Sequence, residues 1–247
     1  MLASSFLALA SATLALTSPV QSNVHGSSYK SRKSTPVLPI NGGPSELPAP
    51  PQGKVLKHIA LGFGIQNYSC EGAGATPVAI GALAVLYDAT YLYPSQGRPS
   101  LTPDRWASLP SDVLSTSQVP LNRDENGGAS LDNPFLAKQS LKFEGLRKNI
   151  PYLGRHFFNA ASVPTFDLDK TNELLNAKRI DGIKAPASAS AGPEGTGAVD
   201  WLYLGDAGGS QGISVVYRVL TAGGASHGCK AKGVDSTSYA TFYWFYG

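Results

Sequence analysis

Apolar and polar positions divide the chain into short β-like runs punctuated by glycine, proline and aspartate. Val55 to Leu61 reads as a first strand, after which Gly62 and Gly64 predict a turn before Ile65 to Cys70. Val78 to Tyr87 is apolar on both faces, which suits a strand buried between layers or a short buried helix. Tyr152 to Phe158, Val199 to Leu204, Ile213 to Leu220 and Thr237 to Tyr246 are each rich in β-branched and aromatic residues. The last of these carries large rings on both faces, the pattern of a strand packed on both sides. Two regions break the pattern. Lys170 to Lys178 is the best helix candidate, and Leu101 to Gly145 is polar and interrupted by Pro103, Pro110, Pro120 and Pro134. That stretch predicts a long surface excursion with only short helical pieces such as Asn133 to Gln139.

The predicted fold is mainly β: an antiparallel β-sandwich or barrel, residues 54–247, with one long loop insertion (101–145) and few short helices. Composition agrees, because 27 Gly and 18 Pro make a turn-rich chain and only 15% of residues are charged, against a usual ~25%. Lys30, Arg32 and Lys33 supply most of the formal charge of +3. The rest of the chain is near balance, which excludes a nucleic-acid surface.

Residues 1–22 carry no charged side chain and hold an apolar run from Leu2 to Leu16, the pattern of a secretory signal peptide. The run is shorter than the ~20 residues of a membrane span. Residues 23–53, rich in Ser, Pro and Gly around the basic Lys30-Ser31-Arg32-Lys33, predict a disordered linker or pro-segment. The expected location is therefore extracellular or in the cell wall. Cys70 and Cys229 form the even pair expected of one disulfide in an oxidising compartment, two buried thiols being the alternative. Neither has a Cys or His at zinc-ligand spacing, so no metal site is predicted. Asn67-Tyr68-Ser69 is a glycosylation sequon. Asp124-Glu125-Asn126-Gly127-Gly128 lacks the spaced ligands of a calcium loop and reads as a turn.

Several blocks resemble the secreted fungal and bacterial family known as domain of unknown function 3455. They are Leu56 to Cys70, Gly154-Arg155-His156-Phe157-Phe158, Val199-Asp200-Trp201-Leu202, Tyr217 to Gly224 and the aromatic terminus. The resemblance covers Lys54 to Gly247 and implies export, these domain limits and the disulfide, with no established activity. Members often carry a malate dehydrogenase label. Gly62-Phe63-Gly64-Ile65-Gln66-Asn67 has two glycines of a dinucleotide fingerprint, but Asn67 stands at the third position and no helix pattern follows. No cofactor is expected.

Among candidate chemistry, His156 with Asp167 would serve as a general base or metal-assisted pair, or His156 is a core histidine between rings. His58 reads as structural and His227 as exposed. Asp200, Trp201 and Arg218 would border a polar cleft, Asp200 and Arg218 alternatively forming a cross-strand ion pair. There is no Gly-x-Ser-x-Gly elbow for a nucleophilic serine. Tyr91, Tyr93 and Trp106 would stack on sugar rings if they share an exposed face. The sequence thus points to a non-catalytic extracellular protein with a cell-wall polysaccharide or another extracellular ligand as partner, and a secreted enzyme as the alternative.

Overall fold

Residues 34–125 and 127–247 are described by a computed structural model. The expected signal peptide, His25 and the Lys30–Lys33 cluster lie outside these residues, as does Asn126. Eight strands follow in chain order: β1 (Leu56–Cys70), β2 (Val78–Asp88), β3 (Tyr152–Phe158), β4 (Pro164–Leu168), β5 (Glu173–Ile183), β6 (Trp201–Asp206), β7 (Val215–Gly223) and β8 (Gly233–Tyr246). Each pairs antiparallel with the next, and β8 closes on β1, giving an up-and-down barrel. Of the sandwich and barrel, the chain takes the barrel, which leaves no sheet edge unpaired.

The turn expected at Gly62 and Gly64 is not made: β1 runs unbroken and pairs with β2 and β8 along its length. Both glycines answer to space. A Cβ on Gly62 would overlap the Tyr243 ring, and one on Gly64 would overlap the Leu83 carbonyl oxygen of β2. Gly-x-Gly here lies within a strand, with no helix N-terminus at its end to receive a pyrophosphate.

Alternation along β8 explains its double load of rings. Tyr239, Tyr243 and Phe245 join the lumen with Ala60, Leu86, Phe166, Leu168, Leu175 and Val216. Ala240, Phe242, Trp244 and Tyr246 face outward into a second core with Ile59, Leu61, Phe63, Tyr217 and Val219. That outer core is roofed by an α-helix, α1 (Pro103–Thr116), from within the expected loop insertion. Its buried positions, Trp106, Leu109, Pro110, Val113 and Leu114, form one helical stripe. Thr102 caps the helix by accepting from the Arg105 amide, and Pro103 begins it where the missing N–H is harmless. Two of the four prolines taken as breaks therefore lie within a helix. Asn133 to Gln139 is not helical.

The helix expected at Lys170 to Lys178 is instead a turn followed by the start of β5, whose Leu175 and Ala177 point into the lumen. Pairing with β4 and β6 overrides the helical propensity of Glu173-Leu174-Leu175. Residues 34–53 carry no helix or strand, yet Leu38 and Leu47 pack on the outer core and Asn41 donates to the Lys184 carbonyl at 2.9 Å. The Cys70–Cys229 disulfide is formed, with Cα atoms 5.3 Å apart. It ties the end of β1 to the β7–β8 connection.

Candidate functional site

Four connections, 71–77, 159–163, 184–200 and 224–232, gather at one end of the barrel. The lumen beneath them is open as a cavity of about 520 Å³. Its wall is mostly apolar, with Ala79 and Ala82 leaving the room and Phe158, Phe166, Leu202 and Leu204 supplying surface. The opposite end is filled by Leu168, Leu175, Ala177, Val216 and Phe245.

Set into this apolar wall is a polar group centred on Arg218 of β7, only 9% exposed. Its Nε and Nη2 donate to the Asp200 carbonyl oxygen at 3.1 and 2.9 Å, and its Nη1 donates to Gln66 Oε1 at 3.4 Å. Gln66 is fixed in turn, because its Nε2 donates to the Gly81 carbonyl at 2.6 Å. Tyr243 lines the same cavity as Arg218 and shares a 3.0 Å bond with the Tyr239 hydroxyl. Burial holds both phenols above the ordinary tyrosine value. At the rim the Tyr68 hydroxyl donates to the Gly224 carbonyl at 2.6 Å.

His156 of β3 is 4% exposed and stacks on Phe166 with ring centres 4.0 Å apart. Its Nδ1 lies 2.9 Å from the Thr165 carbonyl oxygen. A carbonyl only accepts, so Nδ1 carries the proton and Nε2 the lone pair. Burial, with Arg218 acting in the same direction, pushes the imidazole pKa down to about 4 against the opposing pull of the Thr165 bond.

The structure brings together His156, Arg218 and Asp200 and leaves out the others. Across β3 and β4 the aligned pairs are His156 with Phe166 and Arg155 with Asp167, so His156 and Asp167 sit on opposite faces. Trp201 is buried in the outer core, away from the lumen wall. The Asp200–Arg218 ion pair is not formed: Asp200 offers its backbone carbonyl, and its carboxylate pairs with Lys184 at 3.1 Å. Tyr93 packs edge-on against Trp106 and Trp244, and Trp106 stacks on Phe242 at 4.0 Å, so the three aromatics make no sugar-stacking face. Asn67 Oδ1 accepts from the Ser236 hydroxyl, outside the lumen. His58 pairs with Glu173 at 2.6 Å, and exposed His227 with Asp235 at 2.8 Å. Asp124 and Gly128 close the acidic turn through two hydrogen bonds. Among the described residues no three His, Cys, Asp or Glu side chains gather as metal ligands, and no helix is long and apolar enough to cross a membrane.

Gln66, Tyr68, Arg179, Lys184 and Tyr243 join the site without having been singled out in the sequence. For Gln66 a signal existed: a long polar side chain directly after the apolar run Ile59–Ile65 of β1, and it stays buried.

Residues 50–247 match the family described as protein of unknown function (DUF3455). The chain belongs to this family. The DUF3455 match begins just before β1 and takes in all eight strands, α1 and the cavity, so the open lumen lies wholly within the family domain. No curated protein and no solved structure matches the chain.

Proposed function

We propose that this chain is an exported, non-catalytic binding protein that holds one compact small molecule in the open end of its barrel. The observation that carries the reading is the lumen itself. An eight-stranded barrel is wide enough to be filled by side chains or to hold one small ligand, and here about 520 Å³ stays open on a wall of Ala, Leu and Phe. Ligand pockets are typically ~300–1,000 Å³ and mostly apolar, with a few placed polar groups. Separation of His156 from Asp167 removes the acid–base pair an enzyme would use, and burial of Trp106 removes the platform a polysaccharide would need. Export is supported by the Leu2–Leu16 run and the Cys70–Cys229 bridge.

The test uses N-phenyl-1-naphthylamine, an uncharged dye that brightens in apolar sites, titrated onto the full chain. Saturable brightening is expected, and Ala79→Trp should abolish it while preserving the melting curve. Ala79 aligns with Tyr68 at the rim and is exposed, so the new ring covers the cavity without straining the core. Absence of saturable binding, or binding that a folded Ala79→Trp protein retains, overturns the proposal.

A further inference from the structure

Resting on the barrel-mouth reading, we infer that the ligand is an apolar carboxylic acid whose carboxylate is held by Arg218. Both hydrogen-bond partners of this buried guanidinium are neutral, the Asp200 carbonyl and the Gln66 amide oxygen, and one N–H on each Nη is left over. Among the described residues no carboxylate lies within ion-pairing distance of it. Asp200, whose carbonyl Arg218 holds, has its carboxylate paired with Lys184.

Taking a cation out of water costs several kcal/mol unless an anion and hydrogen bonds compensate. The fold supplies the hydrogen bonds and omits the anion. Gln66, locked by Gly81, and the Asp200 carbonyl together fix the guanidinium plane, the preorganisation that a bidentate carboxylate exploits. Charges on the rest of the lining repeat the sign, since Arg179 and Lys184 join Arg218 against Asp200 alone. Most of the remaining wall, with Ala82, Phe158, Phe166, Leu202 and Leu204, offers apolar contact, and Tyr68, His156 and Ser226 add neutral polar atoms. A ligand that suits both parts has one anionic head and an apolar body of fused-ring size. Arg218 is a binding residue in this reading, and no bond is made or broken.

The experiment compares 2-naphthoate with 2-naphthylmethanol, equal in body and different in charge, by calorimetric titration of the full wild-type chain. Naphthoate is expected to bind at least tenfold more tightly. Arg218→Met should bring the two affinities within about twofold of each other, through loss of naphthoate binding. Equal binding of both compounds to wild-type protein overturns the carboxylate inference and leaves the barrel-mouth reading standing. If neither compound binds and the uncharged dye also fails, the barrel-mouth reading falls and takes the inference with it. The wild-type comparison decides the matter even where Arg218→Met does not fold, and Arg179→Gln at the rim should change the preference less than threefold.

Discussion

The two ends of the lumen are built from the same eight strands and differ in what those strands point inward. At the closed end Leu168, Leu175, Val216 and Phe245 meet and leave no room. At the open end small residues, Ala79 and Ala82, and polar ones, Gln66, His156 and Arg218, stand among Phe158, Phe166, Leu202 and Leu204, and room is left between them. Strand geometry therefore sets the width of the barrel, and side-chain volume decides whether that width becomes core or cavity. The cost of the open end falls on its buried polar atoms, and the hydrogen bonds between Arg218, Gln66, Asp200 and Gly81 show how the fold limits it.

The harshest way to break this division is at the waist, where β1 meets β2. Any side chain at Gly64 collides with the backbone of Leu83 and Ala84, which cannot move aside as a rotamer would. Gly64→Val should cost more than ~3 kcal/mol, at or beyond the top of the overpacking range, and yield little folded protein. Thermal melting followed by circular dichroism checks this, and a wild-type melt would mean that the two strands are not in close approach there. Truncation at the two ends sharpens the contrast. Phe245→Ala at the closed end removes a fully buried ring and should cost ~3–5 kcal/mol. Phe158→Ala enlarges a cavity that already exists and removes a half-exposed ring, so ~1 kcal/mol is expected. Similar losses in urea unfolding would erase the distinction between filled and open ends.

How much of this was legible depends on whether the signal was local. Rings on both faces of Ser238 to Tyr246 are a period-two pattern, and they correctly announce a strand with a core on each side. The disulfide was legible from an even cysteine count read with the export signal. The helix α1 is hidden because prolines ordinarily break helices, whereas Pro103 opens this one and Pro110 lies on its buried stripe. Lys170 to Lys178 misled because helix propensity is weak beside the pairing of β5 with two neighbours. The site was only half readable. His156 and Arg218 stand out as polar residues in apolar strands, but their partners are a matter of register. A one-residue step separates Phe166, which stacks on His156, from Asp167, which faces away. Closure of β8 on β1, which brings the two ends of the domain together and makes a lumen at all, has no local signature.

The effect most specific to the open end is a dependence of stability on pH. His156 is neutral in the folded chain down to about pH 4, while an unfolded histidine titrates near its ordinary 6.5. Between these values the unfolded chain binds more protons, so stability rises with pH across the window. The contribution is fully present above pH 6.5 and is lost as pH falls through 4, amounting to at most ~3 kcal/mol. The groups that face the ring are the Thr165 carbonyl, Phe166, Tyr243 and the Arg218 charge, and no carboxylate is among them to reverse the sign. His156→Asn keeps a donor for Thr165 without a titrating ring. Denaturant unfolding of both proteins across the window should show a slope in the wild type that the variant lacks. Parallel profiles would mean that protonated His156 finds solvent through the cavity, and that the open end is wetter at its floor than Phe166 and Tyr243 imply.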